Sequence, residues 1–239
     1  MNRDYSYLIN ACNSWHLDID DDKINKLDIF YDMLIEKNKV MNLTAITDFD
    51  EVLVKHFVDS LSICQVMPDS INTICDLGTG AGFPGIVLAI FYPEISFTLI
   101  DSLNKRINFL SEVVQAIGLN NIELIHARAE EIGRNKDYRE SFDLVVSRAV
   151  ANISTLSEYC TPLVKVNGYF ISYKSVNVKE EITAAGKTFD KLAVSIKDTF
   201  EFVLPDTDMS RSFIIIKKIK NTPKAYPRKA GTPSKEPLS

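Results

Sequence analysis

The stretch DLGTGAGFPG, Asp76 to Gly85, places four glycines and a proline between an apolar run and a helical pattern. Upstream, INTICDLG reads as a strand, and downstream, GIVLAIFY reads as a helix stopped by Pro93. A strand, a glycine turn and a helix in succession open an α/β sheet of mostly parallel strands. Such sheets bind ligands beyond the carboxyl ends of their strands, with the loop after the first strand as the usual place. Gly78, Gly80 and Gly82 allow φ > 0 and let a ligand approach with no Cβ in the way. Pro84 suits a helix start, where its missing N–H costs nothing.

The alternation continues to Lys218. SFTLIDS is a strand ending at Asp101, Lys105 to Ile117 a helix stopped by Gly118, and NIELIHA and FDLVVSRA are strands. Ser154 to Val164 reads as a helix, GYFISYK as a strand and Val178 to Leu192 as a helix. AVSIKDTFEFVL and SFIIIKKI follow with only PDTDMS between them, so they pair as an antiparallel hairpin at the sheet edge. The expected α/β fold is a Rossmann-like, seven-stranded, mostly parallel sheet with an antiparallel last strand, the arrangement of class I methyltransferases. Ahead of it, Ile24, Leu27, Phe30, Tyr31, Leu34 and Ile35 show helical spacing after DIDDD, and a second helix runs from about Asp50 to Val66. The expected organisation is an N-terminal helical cap over 1–68, a methyltransferase domain over 69–220 and a basic C-terminal tail over 221–239.

With 46% hydrophobic and 25% charged residues, the 239-residue chain has a globular balance. The longest apolar run, GIVLAIF, is too short to span a bilayer, and MNRDYSYLIN has no signal-like apolar stretch, so a soluble, cytoplasmic protein is expected without a membrane partner. Cys12, Cys64, Cys75 and Cys160 show no C-x-x-C spacing and His16, His56 and His126 are dispersed, which argues against a structural metal or a disulfide framework. The formal net charge of −5 hides a split. Residues 211–239 carry eight basic side chains against Glu236 alone, so a basic end follows an acidic body and can approach a polyanion.

The spacing of Gly80, Gly82 and Gly85 also satisfies the G-x-G-x-x-G pattern of dinucleotide sites. Asp76 separates the two readings. A dinucleotide pyrophosphate needs the uncompensated N–H groups of a helix start, and a carboxylate close by opposes it. The carboxylate suits a ligand carrying an ammonium and a sulfonium, which is S-adenosyl-L-methionine. Asp101, at the end of the second strand, stands where such folds place an acceptor for two ribose hydroxyls. Ala129 and Glu130, after the third strand, are expected beside the adenine, the alternative being that they only begin a helix.

The segments NLTA (42–45), HFVDSL (56–61), DLGTGAGFPGI (76–86), DSLNKRINFL (101–110), ARAEE (127–131), FDLVVSRAVA (142–151) and YPRKAGTPSKEPL (226–238) resemble, in order and spacing, the glucose-inhibited division protein B family over nearly the whole chain. These bacterial enzymes methylate N7 of one guanosine in 16S ribosomal RNA. The resemblance implies S-adenosyl-L-methionine contacts at Gly78, Phe83, Ala129, Glu130 and Arg148, with the 16S RNA of the small ribosomal subunit as partner. The chain is expected to act as a monomer.

Guanine N7 is an exposed lone pair that attacks a sulfonium methyl without prior deprotonation, so no catalytic base is needed, in keeping with a sequence lacking a triad or paired-carboxylate signature. The task is alignment, which can supply on the order of 7–11 kcal/mol of the barrier. Because N7 must stay free, a cation can hold only the guanine O6. Arg148, at the end of the fourth strand, and Lys174, at the end of the fifth, are the candidates. His56 and Asp59 share a helix face, and His56, Arg228 and Lys229 are candidate RNA contacts. Two other readings stay open from the residues: an NAD-linked oxidoreductase, and a non-catalytic ribosome-binding factor that keeps the cofactor fold.

Overall fold

The computed structural model describes residues 3–148, 151–175 and 178–239. Among these the sheet has seven strands: β1 (Thr73–Leu77), β2 (Ser96–Asp101), β3 (Ile122–His126), β4 (Phe142–Ser147), β5 (Val164–Lys174), β6 (Val194–Val203) and β7 (Ser210–Lys218). Their order is β3-β2-β1-β4-β5-β7-β6. β1 to β5 are parallel, and β7 lies antiparallel between β5 and β6, so the terminal hairpin folds inward and leaves β6 as the edge. The order reverses at β1, between β2 and β4, which puts the ligand crevice at the carboxyl ends of those strands.

Strand residues alternate between two faces, and each face has its own core. Ile74, Leu99, Leu144, Val146, Ile171 and Ile215 pack with helices from the N-terminal region, including Leu8, Phe30 and Phe57. Cys75, Ile100, Val145, Phe170, Ile214 and Ile216 pack on the opposite side with Leu156, Cys160 and Leu238. The N-terminal helices thus share a core with one face of the sheet, and the C-terminal end reaches the core of the other.

The first layer begins with α1 (Ser6–Ser14), which the sequence patterns did not signal, and α2 (Asp21–Met41), capped by the Asp20 carboxylate accepting the Lys23 N–H at 2.8 Å. A continuous helical segment, α3 (49–65), follows; within it Leu53–Val58 winds as a π-helix and Ser62–Gln65 tightens to 3₁₀. α4 (Gly85–Phe91) and α5 (Asn104–Ile117) complete this layer, with Gly118 at φ 69° ending α5 as expected. Opposite lie α6 (Ala129–Ile132), α7 (Ile153–Cys160), α8 (Val178–Ala184), α9 (Thr188–Lys191) and α10 (Thr232–Lys235). The helix expected to run to Val164 ends at Cys160, because Thr161–Leu163 forms a 3₁₀ turn and Val164 already belongs to β5. The helix expected over Val178 to Leu192 is broken at Gly186, φ 51°. No helix of the described residues is long and apolar enough to cross a membrane.

The C-terminal segment, expected as a basic tail, is packed onto the rest of the chain. Pro227, Pro233 and Leu238 are buried, and the segment lies against α6, α7 and α9 on the helical layer. Its basic side chains hid this, because the groups that hold it come from far away in sequence.

Candidate active site

The glycine loop joins β1 to α4. Gly78, Gly80 and Gly82 have φ of 79°, 62° and 101°, a region that strains any side-chain-bearing residue. Pro84 occupies the cap position of α4. Asp76 lies fully buried beneath the loop rather than on a cavity wall, and its Oδ2 accepts the Gly85 N–H at 2.9 Å. Burial pushes its carboxyl up to about 6, against the lowering pull of the Thr79 hydroxyl and the Gly85 N–H. The N–H at this helix start, which a pyrophosphate would need, is therefore taken by a carboxylate. Gly82 also differs from expectation: a Cβ there would stand 2.7 Å from Ile86 Cγ1 and 2.9 Å from Leu110 Cδ2, so its lack of a side chain serves core packing. A Cβ on Gly85 would meet Asp76 Oδ2 at 2.7 Å.

Beyond the loop opens a cavity of about 270 Å³. Leu77, Ile100, Ala127, Ala129 and Leu156 give it apolar walls, with Gly78, Asp101, Arg106 and Tyr159 also lining it. Asp101 is buried at the end of β2; its Oδ2 accepts the Gly80 N–H at 3.0 Å and Arg106 at 3.2 Å, and its Oδ1 accepts the Leu103 N–H at 2.8 Å. Flat apolar walls with one carboxylate at the glycine-loop end fit a purine nucleoside, base against the walls and diol toward Asp101. The buried Asp76 carboxylate adds a negative centre under the same loop. Ala129 is on the wall, and it does begin a helix. Glu130 is not on the wall: it is buried, and its Oε1 accepts the Gly231 N–H at 2.7 Å.

Ala151 also lines a second, larger cavity of about 510 Å³, lined further by Asp59, Arg148, Asn152, Tyr173, Lys174, Glu181 and Arg211. Arg148 follows β4; its guanidinium donates to Asp59 Oδ2 at 2.9 Å and to the Lys55 carbonyl at 3.2 Å, and lies 5.3 Å from the Phe83 ring centroid. Arg211 of β7 donates to the other Asp59 oxygen at 2.7 Å, so one buried carboxylate on α3 ties β4 and β7 together. Lys174, ending β5, donates to the Ala151 carbonyl at 2.8 Å and to Glu181 at 2.7 Å rather than standing in solvent.

Phe83 sits away from the 270 Å³ cavity. It stacks on His56, with ring centroids 4.5 Å apart, and packs on Phe30. The His56 Nε2 is 2.9 Å from the Thr44 hydroxyl, which gives NLTA a role, and its Nδ1 is 3.1 Å from the Lys55 carbonyl. Burial first, and the Arg148 guanidinium second, hold His56 down at about 4, so it is neutral near pH 7.

Arg228 turns its guanidinium inward, with 24% of its side chain exposed, and grips the fully buried Glu158 through Nε at 3.0 Å and Nη2 at 2.7 Å. Lys229 beside it is exposed. The structure thus brings Arg148 and Lys174 to the larger cavity, with Phe83 and His56 packed against Arg148 behind it, gathers Gly78, Asp101 and Ala129 around the smaller, and sets Glu130, Arg228 and Lys229 apart. Arg211, Tyr173 and Asn152 were not foreseen. Arg211 and Tyr173 sit in strand patterns that show burial but not which strand end faces a cavity, and Asn152 reads locally as no more than a helix cap. Ala149, within the SRA motif, lies outside the described residues.

Residues 23–207 match the family profile GidB, rRNA small subunit methyltransferase G. The Ribosomal RNA small subunit methyltransferase G of Lachnoclostridium phytofermentans is 51% identical over 237 residues, covering 99% of this chain and 98% of that protein. The protein of the same name from Lactobacillus johnsonii is 50% identical over 212 residues, 87% of this chain and 89% of its own. Among solved structures, M. capricolum TrmK in complex with S-adenosyl-homocysteine superposes with a TM-score of 0.52 at 19% identity, covering 67% of this chain and 68% of that one, a likeness of fold. A sheet ordered β3-β2-β1-β4-β5-β7-β6, a glycine loop over a buried carboxylate and relatives alike from end to end lead to one conclusion: this chain belongs to the GidB family, the rRNA small subunit methyltransferases G.

Proposed function

We propose that the protein transfers a methyl group from S-adenosyl-L-methionine to N7 of a guanosine in the 16S RNA of the small ribosomal subunit, in the bacterial cytoplasm. The observation that carries this reading is the pair of cavities sharing a wall at Ala151, one fit for a nucleoside and ending on Asp101, the other polar and lined by Arg148 and Lys174. When bound, S-adenosyl-L-methionine supplies an electrophilic methyl on a sulfonium. Asp101 and Gly78 would hold the ribose, Ala127 and Ala129 the adenine, and the buried Asp76 would oppose the positive charge of the aminoacyl and sulfonium end from beneath the loop.

In the larger cavity the target guanine needs no base, since its N7 lone pair is already available. Positive charge develops on the ring as N7 bonds to carbon, and electron density shifts from the O6 side. Lys174 and Arg148 therefore bind O6 as a fixed hydrogen-bond acceptor, and their carboxylate partners Glu181 and Asp59 keep the two cations oriented and their net charge low beside a ring turning positive. His56, neutral and stacked on Phe83, holds the floor beneath Arg148 without adding a cation.

Purified protein, labelled methyl donor and small-subunit RNA lacking the modification test this directly, as free RNA and as assembled subunits. Label is expected at guanine N7. Lys174→Met is expected to raise the KM for RNA with little change in kcat, because its hydrogen bond to O6 is no stronger in the transition state than in the ground state, and Gly78→Asp is expected to abolish transfer by filling the loop. No transfer to any form of the RNA would overturn the proposal.

A further inference from the structure

The C-terminal segment contacts the helical layer that holds α6, α7 and α9. At its start, the Arg139 guanidinium donates to the carbonyls of Thr222 at 2.8 Å and Tyr226 at 3.0 Å, and also to Gly133 at 2.7 Å at the end of α6. Pro227 packs against Gly133, where a Cβ would stand 3.0 Å from the proline Cγ. Arg228 binds Glu158 of α7 by both its backbone N–H, at 2.7 Å, and its guanidinium. The Gly231 N–H is donated to Glu130 of α6 at 2.7 Å, and the buried Thr155 hydroxyl of α7 donates to the Pro233 carbonyl at 2.9 Å. Thr188 of α9 donates to the Leu238 carbonyl at 2.8 Å.

Two of the helices gripped in this way, α6 and α7, wall the smaller cavity. Ala129 belongs to α6, and Leu156 and Tyr159 belong to α7. Glu130 and Glu158 are buried carboxylates with no role on the cavity wall, and each is bound by the C-terminal segment. Tyr159 stands between the two systems: it lines the cavity, and its phenol is raised to about 12 by burial and by the Glu130 carboxylate beside it.

We propose that residues 221–239 are a strap that sets the adenosine end of the cofactor pocket, with Arg228 and Glu130 as positioning residues that act through α7 and α6 and touch no ligand. The inference rests on the reading that the 270 Å³ cavity takes S-adenosyl-L-methionine. A strap that opens would leave α6 and α7 free to shift, and affinity falls in proportion to the fraction of molecules with the wall in place. It replaces the expectation that Arg228 contacts RNA phosphate.

Calorimetry with S-adenosylhomocysteine tests it in the full chain, comparing the unaltered protein with Arg228→Ala and Thr155→Val. Thr155→Val deletes one strap bond at constant shape and keeps the test open if Arg228→Ala fails to fold. Each folded variant is expected to bind about fivefold to tenfold more weakly, and to show a raised KM for S-adenosyl-L-methionine with kcat at saturation and KM for RNA unchanged. By reciprocity, the ligand should slow amide exchange at Gly231 in the unaltered chain. Affinity within twofold of the unaltered protein in both variants, or a rise in KM for RNA instead, would overturn the strap. Failure of the unaltered chain to bind S-adenosylhomocysteine would overturn the cofactor reading beneath it.

Discussion

Asp76 and His56 are both buried against the preference of their charged forms, and they pull the pH dependence of folding in opposite directions. Asp76 has a folded value of about 6 against an ordinary 3.8, so the fold binds its proton more tightly than the unfolded chain does. That stability is present at low pH and is lost as pH rises from about 4 to 6. His56 has a folded value of about 4 against 6.5, so its contribution is present above 6.5 and lost as pH falls toward 4. Each amounts to on the order of 3 kcal/mol over its window, and the two nearly cancel. Asp76→Asn should therefore make the protein lose stability on acidification from pH 6.5 to 4, and His56→Asn should make it lose stability as pH rises from 4 to 6, both read by urea midpoints. Unchanged slopes in both variants would show that these groups do not titrate as their burial requires. Residues of this kind were half legible. The aspartate and the glycine spacing announced a loop built for a ligand, but nothing local shows that Asp76 lies under the loop, that Gly82 faces Ile86 and Leu110, or that Glu130 turns away from the cavity.

The elements were read well where a pattern repeats and poorly where one side chain decides the boundary. The short apolar runs of β1 and β4 and the Gly118 stop are local signals, and they appear where expected, whereas β5 begins four residues ahead of GYFISYK, at Val164. The π-helical winding of Leu53–Val58 has no such signal, since its apolar spacing also fits an ordinary helix, yet the Lys55 carbonyl within it accepts from Arg148. The C-terminal segment was the largest gap, because prolines and lysines read as solvated chain while its anchors, Glu130, Arg139 and Glu158, stand far upstream. Arg228→Ala would leave the fully buried Glu158 without its cation and should destabilise by about 3–5 kcal/mol, measured by urea unfolding. A loss no greater than that of an ordinary surface substitution would mean that the pair is not held in solution.

At the scale of the molecule, two cores on two faces of one sheet leave the carboxyl ends of β1, β2, β4 and β5 as the place where chain and ligand meet. The charge split gains a sharper meaning: the basic end is anchored to the helical layer, with Lys229 left exposed beside the pair that Arg228 makes with the buried Glu158. Lys229→Ala is expected to weaken RNA binding without regard to sequence and to lower the salt dependence by about one unit of slope, with S-adenosylhomocysteine binding unchanged. An unaltered salt slope would remove Lys229 from the RNA interface. The central claim is tested most directly by mapping 16S RNA from cells with and without this protein, using the reductive cleavage to which N7-methylguanosine alone among the guanosines is open, together with fragment masses. One guanosine is predicted to lose both its cleavage and one methyl mass when the protein is absent, and to recover both when the gene product is restored. Identical 16S RNA maps from the two cell types would contradict the account.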